Sequence, residues 1–125
     1  MTKDKSAALA RDFPRLYADY SGDPTKTNMA WGFECGDGWE PLLRRLSEKL
    51  EKLDVVASQV KEKFGTLRFY ILGGTDEAYE AITAAEEESA SICEMCGEPG
   101  VLRSAGWWTT MCDTCYANHA KESRA

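Results

Sequence analysis

The sequence predicts an α+β fold in which a small antiparallel hairpin packs with helices and is followed by a cysteine-rich metal module. Residues 40–53 repeat leucine at helical spacing. Residues 55–62 and 67–72 are rich in β-branched and aromatic side chains and flank a short turn. Residues 93–115 contain two C-x-x-C pairs, a spacing typical of metal ligands. These three patterns together define the predicted architecture.

Three helices are predicted before the cysteines. Residues 4–20 repeat apolar side chains at three- and four-residue steps, and Pro14 should either kink this helix or open a second one. The second helix, residues 40–53, places its leucines on one face and its charged side chains on the other. The third, residues 76–91, follows Thr75 as its cap.

The third helix leads directly into the first cysteine, without a linker. We therefore expect an α+β domain over residues 1–92 and a zinc module over residues 93–125. The two should be joined rigidly and act as one domain, because 125 residues suffice for only one sizeable core.

The predicted hairpin presents one polar face. Side chains in a strand alternate between faces, so a plausible register brings four of them together. These residues are Gln59, Lys61, Arg68 and Tyr70. Arginine beside tyrosine suits a phosphate or a flat ring, so the face could bind an anionic ligand or a partner. The alternative is a solvated or helix-covered sheet.

A long loop, residues 21–39, precedes the second helix and contains the segment MAWGFECGDGW. In one interpretation Asp37 caps the following helix and Trp39 fills the core. In the other, Trp31, Asp37 and Trp39 extend the binding surface of the hairpin. Cys35 is expected to be buried and inert, because a nucleophilic role requires a neighbouring base.

The two cysteine pairs predict a structural zinc site. Its ligands are Cys93, Cys96, Cys112 and Cys115, and four thiolates leave no open position for catalysis. A knuckle, a hairpin and then a helix opening at the second pair predict a treble clef, with a plain zinc ribbon as the alternative. His119 could replace one ligand but is more simply a helix-surface residue.

Two adjacent tryptophans lie between the cysteine pairs. On a strand, Trp107 and Trp108 would point to opposite sides. One can pack against the zinc module, and the other must meet either the main domain or a partner. Trp108 is a candidate binding residue.

Charge is unevenly distributed along the chain. The net charge is −6, and residues 76–98 carry eight carboxylates with no lysine or arginine. This balance disfavours general nucleic-acid binding, which needs a basic face. The acidic segment is a solvated helix face or, alternatively, a mimic of nucleic-acid charge. No apolar run is long enough for a membrane span and no signal peptide is evident, so we expect a cytoplasmic protein.

Three motifs resemble a family of small phage and prophage zinc-ribbon proteins that has no established activity. They are Gly36–Leu42 (GDGWEPL), Gln59–Tyr70 (QVKEKFGTLRFY) and Cys93–Gly100 (CEMCGEPG), and the resemblance spans roughly residues 30–115. It implies an accessory protein of a mobile element, of the kind that binds host machinery, host defence components or their signalling molecules.

The expected function is therefore a non-catalytic, zinc-stabilised binding protein that engages a host protein or defence component. The chain has one histidine and none of the common catalytic or nucleotide-binding signatures. Two alternatives stay open. One is a sponge or enzyme for a nucleotide ligand. The other is a nucleic-acid-binding zinc module in which Trp108 stacks on bases.

Overall fold

The computed structural model describes residues 1–124, and the side chains of residues 1–119. Ala125, the end of the predicted zinc module, lies outside the described residues. The predicted α+β class is confirmed. The elements are the helices α1 (Lys3–Asp12), α2 (Glu40–Glu51), α3 (Asp76–Ser89) and α4 (Asp113–Arg124), the strands β1 (Phe33–Glu34), β2 (Val56–Lys63), β3 (Thr66–Leu72), β4 (Val101–Arg103) and β5 (Thr109–Met111), and two 3₁₀ turns, Asn28–Trp31 and Asp37–Trp39.

The predicted hairpin is confirmed as β2 and β3, and a third strand extends it. The short strand β1 runs parallel to β2, so the sheet order is β1-β2-β3. A two-residue turn, Phe64–Gly65, joins β2 to β3, and both residues have positive φ, 54° and 84°. This is the turn geometry whose twist matches that of a hairpin. A bulge at Ser58 shifts the register near the start of β2.

The core lies between the sheet and the helices. The α2 leucines Leu42, Leu43, Leu46 and Leu50 are all buried, as their spacing predicts. Facing them from the sheet are the buried side chains of Val60, Leu67 and Phe69. The helix α3 packs against both α2 and β3. Among the described residues, no helix has the length and apolar character needed to span a membrane.

The first helix is shorter than predicted. It ends at Asp12, and residues 14–20 form turns instead of a kinked or second helix. Proline disfavours helical geometry in the residue before it, and Phe13 has left the helix with φ −128° and ψ 65°. The apolar residues beyond Pro14 are still buried: Leu16 and Tyr17 lie in the core. The Tyr17 and Ser47 hydroxyls form a buried hydrogen bond of 2.6 Å.

The acidic helix α3 protects the outer edge of β3. The Leu67 N–H donates to Ser89 Oγ at 2.9 Å, and the Phe69 N–H donates to Glu86 Oε2 at 3.0 Å. An open strand edge invites pairing with another chain, and these two side chains occupy two of its donors. Glu88 pairs with Arg45 at 2.6 Å. Glu86 and Glu88 already have partners within the protein. This weakens the alternative that the acidic segment mimics the charge of a nucleic acid.

Candidate metal centre and binding face

Four cysteines from two distant segments meet at the C-terminal end of α3. Cys93 and Cys96 lie in the knuckle that follows this helix, Cys112 precedes α4, and Cys115 lies in its first turn. Their sulfur atoms all lie within 4.8 Å of one another, and those of Cys96 and Cys112 are 3.7 Å apart. A tetrahedral ion with metal–sulfur bonds of ~2.3 Å places its sulfurs ~3.8 Å apart. The four thiols could therefore hold one metal ion.

The electrostatics of the cluster also suit a cation. Burial raises the pKa of Cys93, but backbone N–H donors from Cys112, Cys96 and Met95 outweigh it and lower the pKa to about 7. The neighbouring sulfurs, that of Cys112 first, raise the pKa of Cys115 to about 12. Four thiolates packed this closely repel one another unless a positive ion lies between them.

The order of elements around the cluster matches the predicted treble clef. The first pair lies in a tight turn that Gly97 closes with φ 86°, the strands β4 and β5 form an antiparallel hairpin, and α4 begins directly after Cys112. His119 is exposed on α4 and does not belong to the four-residue metal cluster.

The glycine-rich loop docks on the knuckle by backbone contacts. The Gly38 N–H donates to the Glu94 carbonyl at 2.7 Å, and the Gly36 N–H donates to the Glu94 carboxylate at 2.9 Å. A Cβ atom on Gly38 would lie 2.1 Å from the Cys93 carbonyl oxygen, so only glycine permits this approach. The indole N–H of Trp39 donates to the Ile92 carbonyl at 2.9 Å. The loop therefore fixes the metal module to the α+β core.

These contacts correct the predicted roles of the loop residues. Trp39 is fully buried, which confirms the core interpretation and removes its side chain from any binding surface. The cap predicted for Asp37 is wrong, because its carboxylate accepts from the Thr2 N–H at 2.8 Å and the start of α2 has no side-chain cap. Trp31 is exposed, as a surface role would require. Cys35 is buried, which agrees with the expectation of an inert thiol.

The predicted polar face of the hairpin is present. Gln59 lies opposite Tyr70, and Lys61 lies opposite Arg68, so the four side chains share one side of the sheet. Tyr70 is exposed and the other three are half-buried. Within the described part of the chain, Lys61 and Arg68 form no ion pair, and Arg68 Nε is buried without a hydrogen-bond partner.

An aromatic cleft next to this face was not predicted. It lies between the β2–β3 turn and the turn before β5, has a volume of about 750 Å³, and includes Phe64, Trp107 and Trp108 in its lining. The rings of Phe64 and Trp108 meet edge to face with centroids 6.1 Å apart. The predicted alternation of the two tryptophans along a strand is wrong, because both precede β5 and both are exposed. The prediction that one of them meets the main domain is confirmed by the contact between Trp108 and Phe64. The sequence signal that could have predicted this cleft is Phe64, an aromatic residue at a hairpin-turn position that favours glycine or asparagine.

No family model matches the chain. Comparisons with curated proteins and with solved structures likewise yield no match. The resemblance to phage zinc-ribbon proteins therefore rests on the three sequence motifs, and arguments about function rest on the geometry of the site.

The cysteines of the molecule have little scope for catalysis. Four sulfurs fill a tetrahedral coordination shell, so an ion held by all of them has no open position for a substrate. Burial raises the pKa of the Cys35 thiol to about 12, which suppresses the nucleophilic thiolate. On the hairpin, the half-buried cations Lys61 and Arg68 lie next to the exposed aromatic rings of the cleft.

Proposed function

We propose that this chain is a non-catalytic binding protein, stabilised by zinc, that receives an anionic group of a partner protein on the face of Lys61 and Arg68. One observation carries the proposal: Lys61 and Arg68 lie opposite each other on one side of the sheet, and neither has an ion-pair partner among the described residues. A partner carboxylate that meets the solvent-facing side of the Arg68 guanidinium would form the charge-assisted hydrogen bonds that arginine favours.

Zinc is the ion that best fits the cluster. Tetrahedral coordination by four cysteine sulfurs is typical of structural zinc, and the sulfur separations agree with it. The binding free energy of such an ion is largely folding free energy, on the order of 10 kcal/mol or more. In this proposal the metal holds the hairpin β4–β5 and the knuckle in place, while the protein surface does the binding.

A host protein is the partner that we propose. The resemblance to phage and prophage proteins supports a host component, including a defence component, encountered in the cytoplasm. The cationic side chains of the face are few and the net charge is −6, which suits one localised carboxylate better than the phosphate backbone of a nucleic acid.

A free nucleotide is the second candidate for the same face. Tyr70 is exposed on the same side as Arg68 and offers a ring on which a base could stack while the guanidinium holds a phosphate. A protein that only sequesters such a ligand should release it unchanged when the complex is heated, whereas an enzyme should release a product.

The test is capture of partners from a bacterial host lysate by the tagged, zinc-loaded protein. The variant Lys61→Ala/Arg68→Ala should lose the specific partner, and circular dichroism should show that its fold is intact. A matched control, Lys49→Ala/Lys52→Ala, removes two exposed lysines at the C-terminal end of α2, one in the helix and one at its C-cap, and should capture as the parent does. Unchanged capture by the first variant would contradict the proposal. Calorimetry with a nucleotide panel tests the second candidate.

A further inference from the structure

We infer that the aromatic cleft binds an apolar side chain from an acidic protein segment, the same segment whose carboxylate meets Arg68. This inference rests on the proposed function and adds to it a second contact and a ligand class. The cleft and the cationic face are continuous, because Lys61 belongs to both.

The aromatic side chains of the cleft are exposed to an unusual degree. Trp107 is 84% exposed and Phe64 is 62% exposed, and Trp108 is nearly half exposed beside them. Grouped, exposed aromatic residues mark interaction sites on soluble proteins, and tryptophan is enriched where partners bind most tightly. A cleft of about 750 Å³ has room for one or two large apolar side chains.

Phe64 occupies a backbone position that does not suit it. Its φ is 54°, in the left-handed region, where a residue other than glycine or asparagine costs ~1–2 kcal/mol. The hairpin turn would form more readily with asparagine there. The aromatic side chain therefore opposes the local preference of the turn, and its ring is directed to solvent and to Trp108 instead of the core. A surface role accounts for this choice of residue.

The walls of the cleft are held together by buried contacts. The Thr110 hydroxyl donates to the Gly65 carbonyl at 2.6 Å, which links β5 to the β2–β3 turn. Gly65 also lies against Leu102, so closely that a Cβ atom would come within 2.6 Å of its Cδ1. A preformed cleft loses little entropy when a ligand enters, and this improves affinity.

Charge selects an acidic segment for this site. Lys63 Nζ lies 5.6 Å from the centre of the Phe64 ring, and Lys61 and Arg68 lie on the same side of the sheet. These three cations outnumber the Glu34 carboxylate, which lies beside Lys61 on β1. Glu62 is the opposing charge in the cleft lining, where its carboxylate accepts from the Gly65 N–H. A nucleic-acid strand would bring phosphates past Glu62 on a chain of net charge −6, whereas a peptide can place its carboxylates at the cations alone.

The experiment selects from a random peptide library displayed on phage, with zinc-loaded protein as the immobilised target. The cleft variant is Phe64→Asn/Trp108→Ser, in which asparagine suits the turn and keeps the hairpin folded. We expect enriched peptides that combine Leu, Phe or Trp with Asp or Glu. Synthetic copies should bind the cleft variant about tenfold or more weakly, the loss typical of removing central aromatic contacts. The control Tyr79→Ala removes an exposed aromatic side chain on α3, outside the cleft, and should leave binding unchanged.

The outcomes separate this inference from the proposed function. Acidic peptides that need Lys61 and Arg68 but bind the cleft variant as well as the parent would overturn the inference alone. Peptides that bind Lys61→Ala/Arg68→Ala undiminished would overturn the proposed function. The inference would also be overturned if selection on the parent protein enriched no peptides beyond those enriched on the cleft variant. Tighter binding of an oligothymidylate than of the best peptide would overturn it as well.

Discussion

Replacing Gly38 by alanine should detach the glycine-rich loop from the metal module. The added Cβ atom would lie 2.1 Å from the Cys93 carbonyl oxygen and 2.6 Å from the Gly97 nitrogen. Both neighbours are backbone atoms of the knuckle, so no side-chain rotation relieves the clash. The loop and the knuckle must separate by roughly 1 Å, a large shift in a close-packed interior.

The size of the effect follows from what this separation disrupts. Overpacking of a tight contact costs ~1–3 kcal/mol. The hydrogen bond from the Gly38 N–H to Glu94 and that from the Trp39 indole to Ile92 would lengthen, and each is worth ~1 kcal/mol. Together these give a loss of about 3–5 kcal/mol in the free energy of unfolding.

Urea unfolding, followed by tryptophan fluorescence and circular dichroism, measures this loss. A colorimetric chelator should also withdraw zinc faster from Gly38→Ala than from the parent. The control is Gly73→Ala, where φ is 73° and nothing lies within 4 Å of the added Cβ. It introduces conformational strain alone, about 1–2 kcal/mol. If Gly38→Ala were no less stable than Gly73→Ala, the loop would not be docked as described.

Three further predictions concern other parts of the molecule. Ser89→Ala leaves the buried Leu67 N–H without its acceptor and should lower the free energy of unfolding by ~1–3 kcal/mol in a urea titration, whereas Ser91→Ala, at an exposed hydroxyl, should change it little. Cys112→Ser should abolish stoichiometric metal binding and lower the melting temperature measured by calorimetry; metal content equal to that of the parent would contradict the four-sulfur site. Burial raises the pKa of Cys35 from 9.0 to about 12, so above pH 9 the unfolded chain loses this proton first and stability falls as the pH rises toward 12. Cys35→Ala should flatten the plot of urea midpoint against pH in that window, and an equally steep plot would refute the buried thiol.

Sequence patterns predict the elements whose signals are local. The leucine stripe of α2 and the alternation of β3 depend on residues a few positions apart, and both lie where the patterns place them. The cysteine spacing predicts the metal cluster for the same reason, since only two residues separate the cysteines of each pair. The polar face also follows from the register that a two-residue turn imposes.

Features that depend on distant partners could not be predicted in this way. Asp37 resembles a helix cap in sequence, but its carboxylate accepts from the N–H of Thr2, which lies 35 residues earlier in the chain. The role of Gly38 depends on a knuckle that begins more than fifty residues later, and a glycine in a loop gives no sign of which backbone will approach it. The cleft unites two turns, at Phe64 and Trp107, and each alone resembles an ordinary exposed aromatic residue.

Metal analysis of the purified protein tests the central claim most directly. We predict that inductively coupled plasma mass spectrometry will find one zinc ion per chain. The absorption spectrum of the cobalt-substituted protein should show tetrahedral sulfur coordination. A folded protein that holds no metal, or one in which the four cysteines are joined as disulfides, would contradict the account.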